Sequence, residues 1–469
     1  MRILISNLGQ SVGQNVEISG WVSVRRDQGK ILFLDLRDMS GAVQCVVLPK
    51  NTSAMEKAKD VRAEWVLKIS GVINKRPEKN AKAGVINGDI ELEIKDIEVL
   101  NKSETPPFAI TEDTHGINED VRMKYRYLDL RTERMQKNIR KRDAVIKFIR
   151  DSLHEKLFTE VETPLLTKST PEGARDYIVP SRLYRGNFYA LPQSPQQYKQ
   201  LLMAAGIERY FQFAKCMRDE DTRGDRQPEF TQLDMEMSFV NRDDVMALNE
   251  ELLIALVKKL YPEKRIQQIP FPKITYKEAI AKYSSDRPDI RKDKNDPNLL
   301  AFCWVVDFPF FESSKKSDNP DAEGEWTYTH NPFSRPVDEH MPNLMNKKDI
   351  GAILTTQYDI VLNGYEIGGG SIRNHTREAL MKVFEILGHD KDKIARDFGH
   401  MLHAFDSGTP PHGGIAWGFD RLMMLLQGEP NIREVIAFPK TGEGRDLMMD
   451  APAPVSEKQL KELGLKIVK

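Results

Sequence analysis

The stretch CMRDEDTRGDRQPEFTQLDMEMSFV, residues 216–240, decides the fold of the larger part of this chain. Two runs with strand-like composition flank a polar loop, so the stretch predicts a hairpin. Three arginines, Arg218, Arg223 and Arg226, lie in or beside that loop among four acids. Because arginine presents a planar and permanently charged fork, such a hairpin has the chemistry to grip a triphosphate. A solvated charge run whose members pair with one another is the alternative that charge alone leaves open.

A second polar cluster, LPQSPQQYKQLLMAAG at residues 191–206, lies upstream of the hairpin. Gln193, Ser194 and Gln196 precede Lys199 at the start of an apolar helix. These side chains offer donors and acceptors around a small polar ligand. An ordinary helix N-cap explains the same residues, and the pattern alone does not separate the two interpretations.

Two glycine-rich stretches follow downstream. In DIVLNGYEIGGGSIRNHT, residues 359–376, the carboxylates of Asp359 and Glu366 suit Mg²⁺ if both lie on one side of a sheet, and Arg373 follows. A bulged strand that ends in a glycine turn is the alternative. In HGGIAWGFDRLMMLL, residues 412–426, glycine-rich chain enters a helix that carries Arg421, which by itself is typical of any loop-to-helix anion site.

The periodicity outside these clusters predicts an α+β chain of several domains. Residues 1–105 contain five β-type runs with one helical segment between the third and fourth, the order of an OB-fold barrel, although other small barrels fit the pattern. Residues 106–135 begin with TPPFAI and read as a linker. Residues 136–469 mix helices and strands, and Val145, Ile149 and Leu153 have the spacing of a long helix.

Composition excludes several classes of protein. The 469 residues carry a net charge of -1, which argues against a polybasic nucleic-acid binder, and we expect no DNA partner. Three distant cysteines disfavour a disulfide framework or a zinc site. No run approaches about 18 apolar residues and no signal-peptide pattern opens the chain, so we expect no membrane span and a cytoplasmic protein.

Taken together, these stretches resemble a known family. Class II aminoacyl-tRNA synthetases have three ordered motifs, which LFTEVETPLL (157–166), MRDED…RQPEFTQLDME (217–236) and GIAWGFDRL (414–422) match. RYLDLR, STPEGARDY, LPQSPQQYKQLLM, NGYEIGGGSIR and VIAFPK are similar to bacterial-type aspartyl-tRNA synthetases. The resemblance implies an OB-fold anticodon domain followed by a class II catalytic domain, an antiparallel sheet flanked by helices. It also implies a homodimer, built around the first motif.

The resemblance further implies an enzyme that activates L-aspartate with ATP and Mg²⁺ and transfers it to the 3′ end of tRNA(Asp). It assigns catalysis to Arg218, Glu366 and Arg421, and the metal to Asp359 and Glu366. The residues implied for ATP are Arg218, Glu220, Phe230, Glu366 and Arg421. Those implied for aspartate are Glu172, Ser194, Gln196, Lys199, Asp234, His330 and Arg373. Those implied for the anticodon are Arg26, Gln28, Phe33, Gln44 and Glu78.

The chain departs from the family in three places. The large domain that bacterial members insert in the catalytic half is absent near residues 285–302. His330 is followed by Asn331 where a second histidine is common. Val24 replaces a common arginine, and Gln28 occupies a position associated with tolerance for tRNA(Asn), so charging of tRNA(Asn) stays open.

Three other functions stay open at this point: an asparaginyl- or lysyl-tRNA synthetase, a synthetase-like RNA-binding protein without catalysis, and an amide-forming asparagine synthetase paralogue. The QSPQQYK and GGGSIR blocks favour aspartate over the first. Arg218 and Arg421 argue against the second, and the N-terminal barrel argues against the third.

Overall fold

The computed structural model describes residues 2–169, 173–316 and 324–468. The chain divides into two compact units, Met1–Arg134 and Met135–Lys469. None of the described helices is long and apolar enough to cross a membrane. Cys45, Cys216 and Cys303 are all buried, and none of them is in a disulfide bond among the described residues.

The first unit contains a closed five-stranded barrel of strand order β1-β2-β3-β5-β4. Its elements are a 3₁₀ helix (Ile5–Ser11), β1 (Asn15–Asp27), β2 (Leu32–Asp38), β3 (Gly41–Val47), α1 (Thr52–Lys59), β4 (Val66–Lys75), a second 3₁₀ helix (Glu78–Asn80), β5 (Ile90–Asn101), α2 (Glu119–Lys124) and α3 (Arg126–Asp129). The helix lies between the third and fourth strands, so the predicted OB-fold order is confirmed.

Strand β2 shows how the alternating sequence builds this barrel. Leu32, Leu34 and Leu36 point into the core and are at most 1% exposed. The residues between them, including Phe33 and Asp35, are only partly buried, because successive strand residues face opposite sides. Phe33 is therefore on the outer face of the barrel and is not a core residue.

The second unit is built on an eight-stranded sheet of order β12-β14-β17-β18-β19-β10-β9-β6. The strands of the whole unit are β6 (Thr159–Glu160), β7 (Ile178–Pro180), β8 (Phe188–Ala190), β9 (Arg209–Met217), β10 (Glu229–Ser238), β11 (Arg265–Ile266), β12 (Lys273–Thr275), β13 (Leu299–Leu300), β14 (Phe302–Val306), β15 (Phe311–Ser313), β16 (Trp326–Tyr328), β17 (Tyr358–Leu362), β18 (Tyr365–Ile372) and β19 (His412–Gly418). Six of them form separate two-stranded sheets, β7 with β8, β11 with β13 and β15 with β16. Pairing within the sheet is antiparallel except at its two ends, where β12 and β6 pair in parallel with β14 and β9.

Helices of the second unit lie on both faces of this sheet. They are α4 (Glu133–Glu155), α5 (Gln196–Ala204), α6 (Arg242–Leu260), α7 (Tyr276–Tyr283), α8 (Met341–Asn346), α9 (Arg377–Ile386), α10 (Lys391–Phe405), α11 (Phe419–Gln427) and α12 (Glu457–Leu463), with short 3₁₀ helices at Ser314–Lys316, Asp338–His340, Ile350–Ala352 and Ile432–Glu434. The long helix predicted from Val145, Ile149 and Leu153 is α4, and these three side chains are fully buried.

Strand β10 divides the core from the polar side of the sheet. Leu233, Met235 and Met237 pack into the main apolar core together with residues of α4, α6 and α11. The alternate residues, Asp234 and Glu236 among them, project from the opposite face and are also completely buried. A strand with buried acids on one face needs cations there, because an unpaired buried charge is very costly.

Candidate active site

The predicted β9–β10 hairpin is present, and Arg218 follows directly on β9 at its mouth. The Arg218 backbone N–H donates to Pro228 O at 2.9 Å. The Arg218 guanidinium carbon lies 5.2 Å from the centre of the Phe230 ring, and its Nε donates to Gln193 O at 3.4 Å. The loop beyond it is partly self-paired, since Arg226 contacts Glu220 at 3.4 Å. Arg218 itself packs against the Phe230 ring and forms no ion pair with an acid of the loop among the described residues.

A cavity of about 240 Å³ opens beside this hairpin. It is lined by all five residues that the resemblance assigned to ATP: Arg218, Glu220, Phe230, Glu366 and Arg421. These residues come from the hairpin, from β18 and from α11, so the sheet brings together side chains that are far apart in the sequence.

Arg421 in the first turns of α11 closes one side of this cavity. Its guanidinium donates to the main-chain oxygen of Glu366 and contacts the Asp225 carboxylate at 3.1 Å. Within the part of the chain that the structure describes, its buried Nε has no hydrogen-bond partner. Arg421 is thus fixed by two anchors and retains one donor.

Two carboxylates share one face of the β17–β18 pair. Glu366 is opposite Val361, two residues along β17 from Asp359. Burial and the nearby Asp359 carboxylate raise the pKa of Glu366 above its ordinary value. Asp359 accepts from Gln357 at 2.7 Å and contacts His330 Nε2 at 3.2 Å. Burial alone would lower the pKa of His330, but Asp359 outweighs it and raises that pKa.

The chemistry of this pair fits a magnesium ion. Two hard oxygen donors that destabilise each other's charge gain from a divalent cation, and Mg²⁺ in phosphate-transfer sites takes only one or two carboxylates besides water and phosphate oxygens. Glycine at position 369 leaves the space free, because a Cβ there would lie 2.6 Å from Asp359 Oδ1. Among the described residues, no group of three or more His, Cys, Asp or Glu side chains forms a complete protein-only metal site.

A buried ion cluster occupies the polar face of β10. Lys199 Nζ from α5 contacts Asp234 Oδ1 at 2.7 Å and Glu236 Oε2 at 3.3 Å. Arg373, which follows β18, contacts Glu236 Oε1 at 2.9 Å through Nε. All four side chains are at most 2% exposed. We call Lys199, Asp234, Glu236 and Arg373 the buried ion cluster.

The electrostatics of the buried ion cluster are strong. Burial by itself would raise the pKa of Glu236, but Arg373 and Lys199 outweigh burial and lower it to about 2. Asp234 Oδ2 is buried and accepts no hydrogen bond from the described residues. The cluster therefore has one orphaned carboxylate oxygen and two cations, an arrangement suited to a small zwitterionic ligand.

Of the other residues predicted to bind the ligand aspartate, Ser194 and Gln196 lie at the start of α5. Gln196 is on the first turn of α5, and its backbone N–H donates to Ser194 Oγ at 3.3 Å. Pro195 is the N-cap of α5, and no side chain caps that end. Ser194 also lines a separate cavity of about 480 Å³. Glu172 lies outside the described residues, so its place in the site stays a prediction.

Glu236, Gln200 and His412 lie in or beside this site and were missed by sequence reasoning. Glu236 contacts both cations of the buried ion cluster, and Gln200 bridges Gln196 and His412. A signal for Glu236 existed, because QLDMEM alternates polar and apolar residues and places Glu236 on the face of Asp234.

Three of the five predicted anticodon residues meet on the outer face of the barrel. Arg26 makes a bidentate pair with Asp35 at 2.9 Å and donates to Gln44 at 3.3 Å. Its guanidinium carbon is 6.0 Å from the Phe33 ring centre. Among the described residues, no hydrogen bond or ion pair joins the side chains of Gln28 and Glu78 to this cluster. Gln28 is in the β1–β2 turn and Glu78 is in the second 3₁₀ helix.

Comparison with family models finds two matches. One, described as tRNA synthetases class II (D, K and N), covers residues 118–442, and the other, described as an OB-fold nucleic acid binding domain, covers residues 16–100. Among solved structures, an asparaginyl-tRNA synthetase from Pyrococcus horikoshii superposes with a TM-score of 0.75 at 23% identity, covering 94% of this chain and 98% of that one. Aspartyl tRNA synthetase from Entamoeba histolytica has a TM-score of 0.71 at 23% identity, covering 94% and 91%. At this identity these structures show the fold.

Curated relatives are more similar in sequence. An aspartate–tRNA(Asp/Asn) ligase from Rubrobacter xylanophilus is 41% identical over 580 residues, covering 97% of this chain and 95% of the relative. An aspartate–tRNA ligase from Geobacillus kaustophilus is 39% identical over 584 residues, covering 98% and 97%. Both alignments are longer than the 469-residue chain, so the relatives carry residues that this chain lacks. With one family model across most of the chain and relatives across nearly all of it, the chain belongs to the aspartate–tRNA ligases among the class II tRNA synthetases, a family of ATP-dependent enzymes.

Proposed function

We propose that this chain activates L-aspartate with ATP and transfers the aspartyl group to the 3′ end of a tRNA. The observation that carries the proposal is the buried ion cluster, in which Asp234 Oδ2 has no hydrogen-bond partner among the described residues and lies beside two cations. Aspartate supplies an ammonium for that oxygen and carboxylates for Lys199 and Arg373. Ser194, Gln196 and His330 would complete its surroundings.

ATP would occupy the 240 Å³ cavity. Adenine would stack between Phe230 and Arg421, with Glu220 at its edge, and Arg218 would contact the α-phosphate. The spare Nε donor of Arg421 supports a role toward the nucleotide, because a buried guanidinium donor without a partner is costly unless a ligand accepts from it.

Activation requires positioning and charge neutralisation more than a protein nucleophile. The aspartate α-carboxylate attacks the α-phosphorus in line, the bond to the β-phosphate oxygen breaks, and pyrophosphate leaves. Arg218 would stabilise the charge that develops on the α-phosphate oxygens. Mg²⁺ held by Asp359 and Glu366 would neutralise phosphate charge. In the second step the 3′-terminal hydroxyl of tRNA attacks the aspartyl carbonyl carbon, and AMP leaves.

The same geometry supports selection against asparagine. Lys199 and Arg373 carry only N–H donors, so a ligand carboxylate could accept from them, whereas the NH₂ group of a neutral amide would face cationic donors and accept nothing. Losing a buried polar pairing discriminates far better than losing a methylene, so no editing step is needed.

Pyrophosphate exchange with aspartate, asparagine or lysine tests this proposal. We expect exchange with aspartate alone, in the presence of ATP and Mg²⁺. Exchange driven by asparagine or lysine but not by aspartate would overturn the amino-acid assignment, and a folded protein without exchange would favour a non-catalytic RNA-binding role.

We propose tRNA(Asp) as a substrate and tRNA(Asn) as a second one. Relatives named for both tRNAs, together with Gln28 and Val24 in this chain, support the second. Charging of separate tRNA(Asp) and tRNA(Asn) transcripts with labelled aspartate is the test. Comparable rates are expected, and charging of tRNA(Asp) alone would show that Gln28 does not relax the choice.

We also propose a homodimer built around α4 and β6. Leu157, Leu165 and Leu166 support it, because these large apolar side chains are 81%, 47% and 53% exposed next to those elements. Light scattering after size exclusion should give twice the 53.7 kDa chain mass. A monomer mass at micromolar concentration would contradict the proposal.

We propose that the enzyme acts in the cytoplasm. Three buried cysteines without a disulfide support a reducing compartment. Fractionation of cells with an antibody against the chain tests this, and recovery outside the cytoplasmic fraction would refute it.

A further inference from the structure

Helix α5 presents three buried polar side chains on one face, Gln196, Lys199 and Gln200, at spacing i, i+3 and i+4. Lys199 belongs to the buried ion cluster. Gln200 is 0% exposed and lies against His412 at the start of β19, which is also 0% exposed. Polar groups buried this deeply must be hydrogen-bonded to each other in a consistent pattern.

The pattern begins at a main-chain carbonyl. His412 Nδ1 lies 2.8 Å from Pro410 O. A carbonyl oxygen only accepts, so Nδ1 carries the hydrogen. Burial lowers the pKa of His412 to about 4, against an opposing contribution from Glu236, while Arg373 and His375 act in the same direction as burial. The ring is therefore neutral near pH 7, and Nε2 accepts.

Each later partner is then determined in turn. Gln200 Nε2 lies 3.0 Å from His412 Nε2 and must donate to it. Gln200 Oε1 is then the acceptor, and it receives a hydrogen bond from Gln196 Nε2 at 3.0 Å. The NH₂ group of Gln196 is thereby held toward Gln200. Its oxygen, Oε1, accepts no hydrogen bond from the described residues and can therefore accept one from a ligand.

We propose that His412 and Gln200 are positioning residues that fix the amide of Gln196 so that its oxygen, and not its NH₂ group, faces the ammonium of aspartate. The inference rests on the proposed function, because it takes Gln196 as an aspartate-binding residue. It adds two residues that act through Gln196 without touching the substrate.

The orientation of the amide matters because the substrate group is charged. A carbonyl oxygen facing an ammonium makes a charge-assisted hydrogen bond, whereas an NH₂ group facing it makes none and repels it. A hydrogen bond to a charged group contributes about 1.5–3 kcal/mol, which corresponds to about a 10- to 100-fold change in affinity.

Replacing Gln200 by Met or by Glu tests the inference. Gln200→Met keeps the length of the side chain but removes the acceptor for Gln196, so we expect the KM for aspartate to rise about tenfold with the KM for ATP unchanged. Gln200→Glu keeps an oxygen that can accept from Gln196 Nε2. This holds if the carboxyl group is protonated and donates to His412 Nε2, and it also holds if the carboxyl group is ionised and His412 is protonated. We expect Gln200→Glu to recover an aspartate KM within about threefold of the parent enzyme.

A purely structural role for Gln200 predicts the reverse order, because Met is tolerated in a buried site and an added carboxyl is not. The inference is overturned if Gln200→Glu raises the aspartate KM more than Gln200→Met, or if both leave it unchanged. Thermal unfolding of both variants establishes that the comparison is made on folded protein. If either fails to fold, His412→Gln, which keeps an acceptor near the Nε2 position, is compared with His412→Leu by the same readout.

Gln196→Ala separates this inference from the proposed function. If this variant leaves the aspartate KM unchanged, the assignment of Gln196 to the aspartate site is wrong. If Gln196→Ala raises the aspartate KM and Gln200→Met does not, Gln196 remains an aspartate-binding residue, and only the positioning role of Gln200 and His412 is refuted.

Discussion

The cavity of about 240 Å³ proposed for ATP, called the nucleotide cavity below, differs from the buried ion cluster in how its arginines are paired in the free protein. In the cavity, Arg218 lies on the Phe230 ring and Arg421 retains an Nε without a partner among the described residues. In the cluster, Arg373 already holds Glu236 through two nitrogens. An arginine with an unpaired N–H group can bind a ligand without losing a contact within the protein. An arginine that is already paired with a carboxylate in the free protein also stabilises the fold. Substitutions in the two places should therefore fail in different ways.

The largest expected effect is on the nucleotide side. Arg218→Ala should lower kcat/KM for aspartate activation by about 10³-fold or more, because an arginine that acts on transition-state phosphate charge contributes that much. Pyrophosphate exchange measures it. Thermal stability should change little, since among the described residues the Arg218 side chain makes one long hydrogen bond and one ring contact.

Arg223→Ala is the matched control in the same loop and should retain nearly full exchange. Arg218→Lys sharpens the comparison, because lysine keeps the charge but loses the fork. Full activity of Arg218→Lys would contradict a fork-specific role for this residue.

The next effect is expected in the buried ion cluster. Glu236→Gln leaves Asp234 as the one carboxylate beside the two cations of the cluster. The free energy of unfolding should therefore fall by about 3 kcal/mol. The affinity for aspartate should fall as well. Chemical denaturation measures the free energy of unfolding, and the kinetics of pyrophosphate exchange measure the affinity for aspartate. Glu229→Gln, on the exposed start of the same strand, should change stability by less than about 0.5 kcal/mol. A Glu236→Gln variant as stable as the control would refute the structural role of the pair.

The pH dependence of stability should report the same carboxyl. The pKa of Glu236 in the folded protein is about 2, below its ordinary value of 4.5. Its stabilising contribution is therefore complete above the ordinary value and is lost as the pH falls from about 5 toward 2. The stability difference between the parent enzyme and Glu236→Gln should shrink over that range. A difference that stays constant from pH 7 to pH 3 would contradict the lowered pKa.

The smallest effect is expected on the barrel. Phe33→Ala removes an outward ring beside Arg26, and we expect the KM for tRNA to rise about tenfold, since base stacking on an aromatic side chain contributes about 1–3 kcal/mol. Pyrophosphate exchange without tRNA should not change. A defect in exchange, or an unchanged tRNA KM, would count against the anticodon assignment of Phe33.

Local patterns predicted much of the fold. The alternation of Leu32, Leu34 and Leu36 defines the inner face of the barrel, and the spacing in α4 defines its buried stripe. The parallel pairing of β6 and β12 at the sheet ends was not predicted, because strands of two or three residues have no measurable periodicity. The residues of the nucleotide cavity came from the order of the motifs and not from charge alone.

The parts of the site that could not be predicted depend on contacts between distant residues. Gln200 is a plain helical residue in the sequence, and its partner His412 lies 212 positions away. No local rule states which nitrogen of that histidine carries a hydrogen or which way an amide faces, since both depend on the completed hydrogen-bond pattern. Glu236 could have been found, because its strand face was already assigned through Asp234.

Strand β19 passes directly beneath the Glu236 carboxylate at Gly414, which pairs with Glu236 across the sheet. A Cβ at position 414 would collide with Glu236 Oε2 and with Met235 O. Shortening the acid at 236 would relieve the first collision but not the second, because Met235 O belongs to the main chain of β10. Position 414 therefore has to remain glycine for as long as β10 and β19 keep this register, whichever acid stands at 236. A deep mutational scan should find position 414 intolerant of every side chain, in a Glu236→Asp background as well as in the parent enzyme.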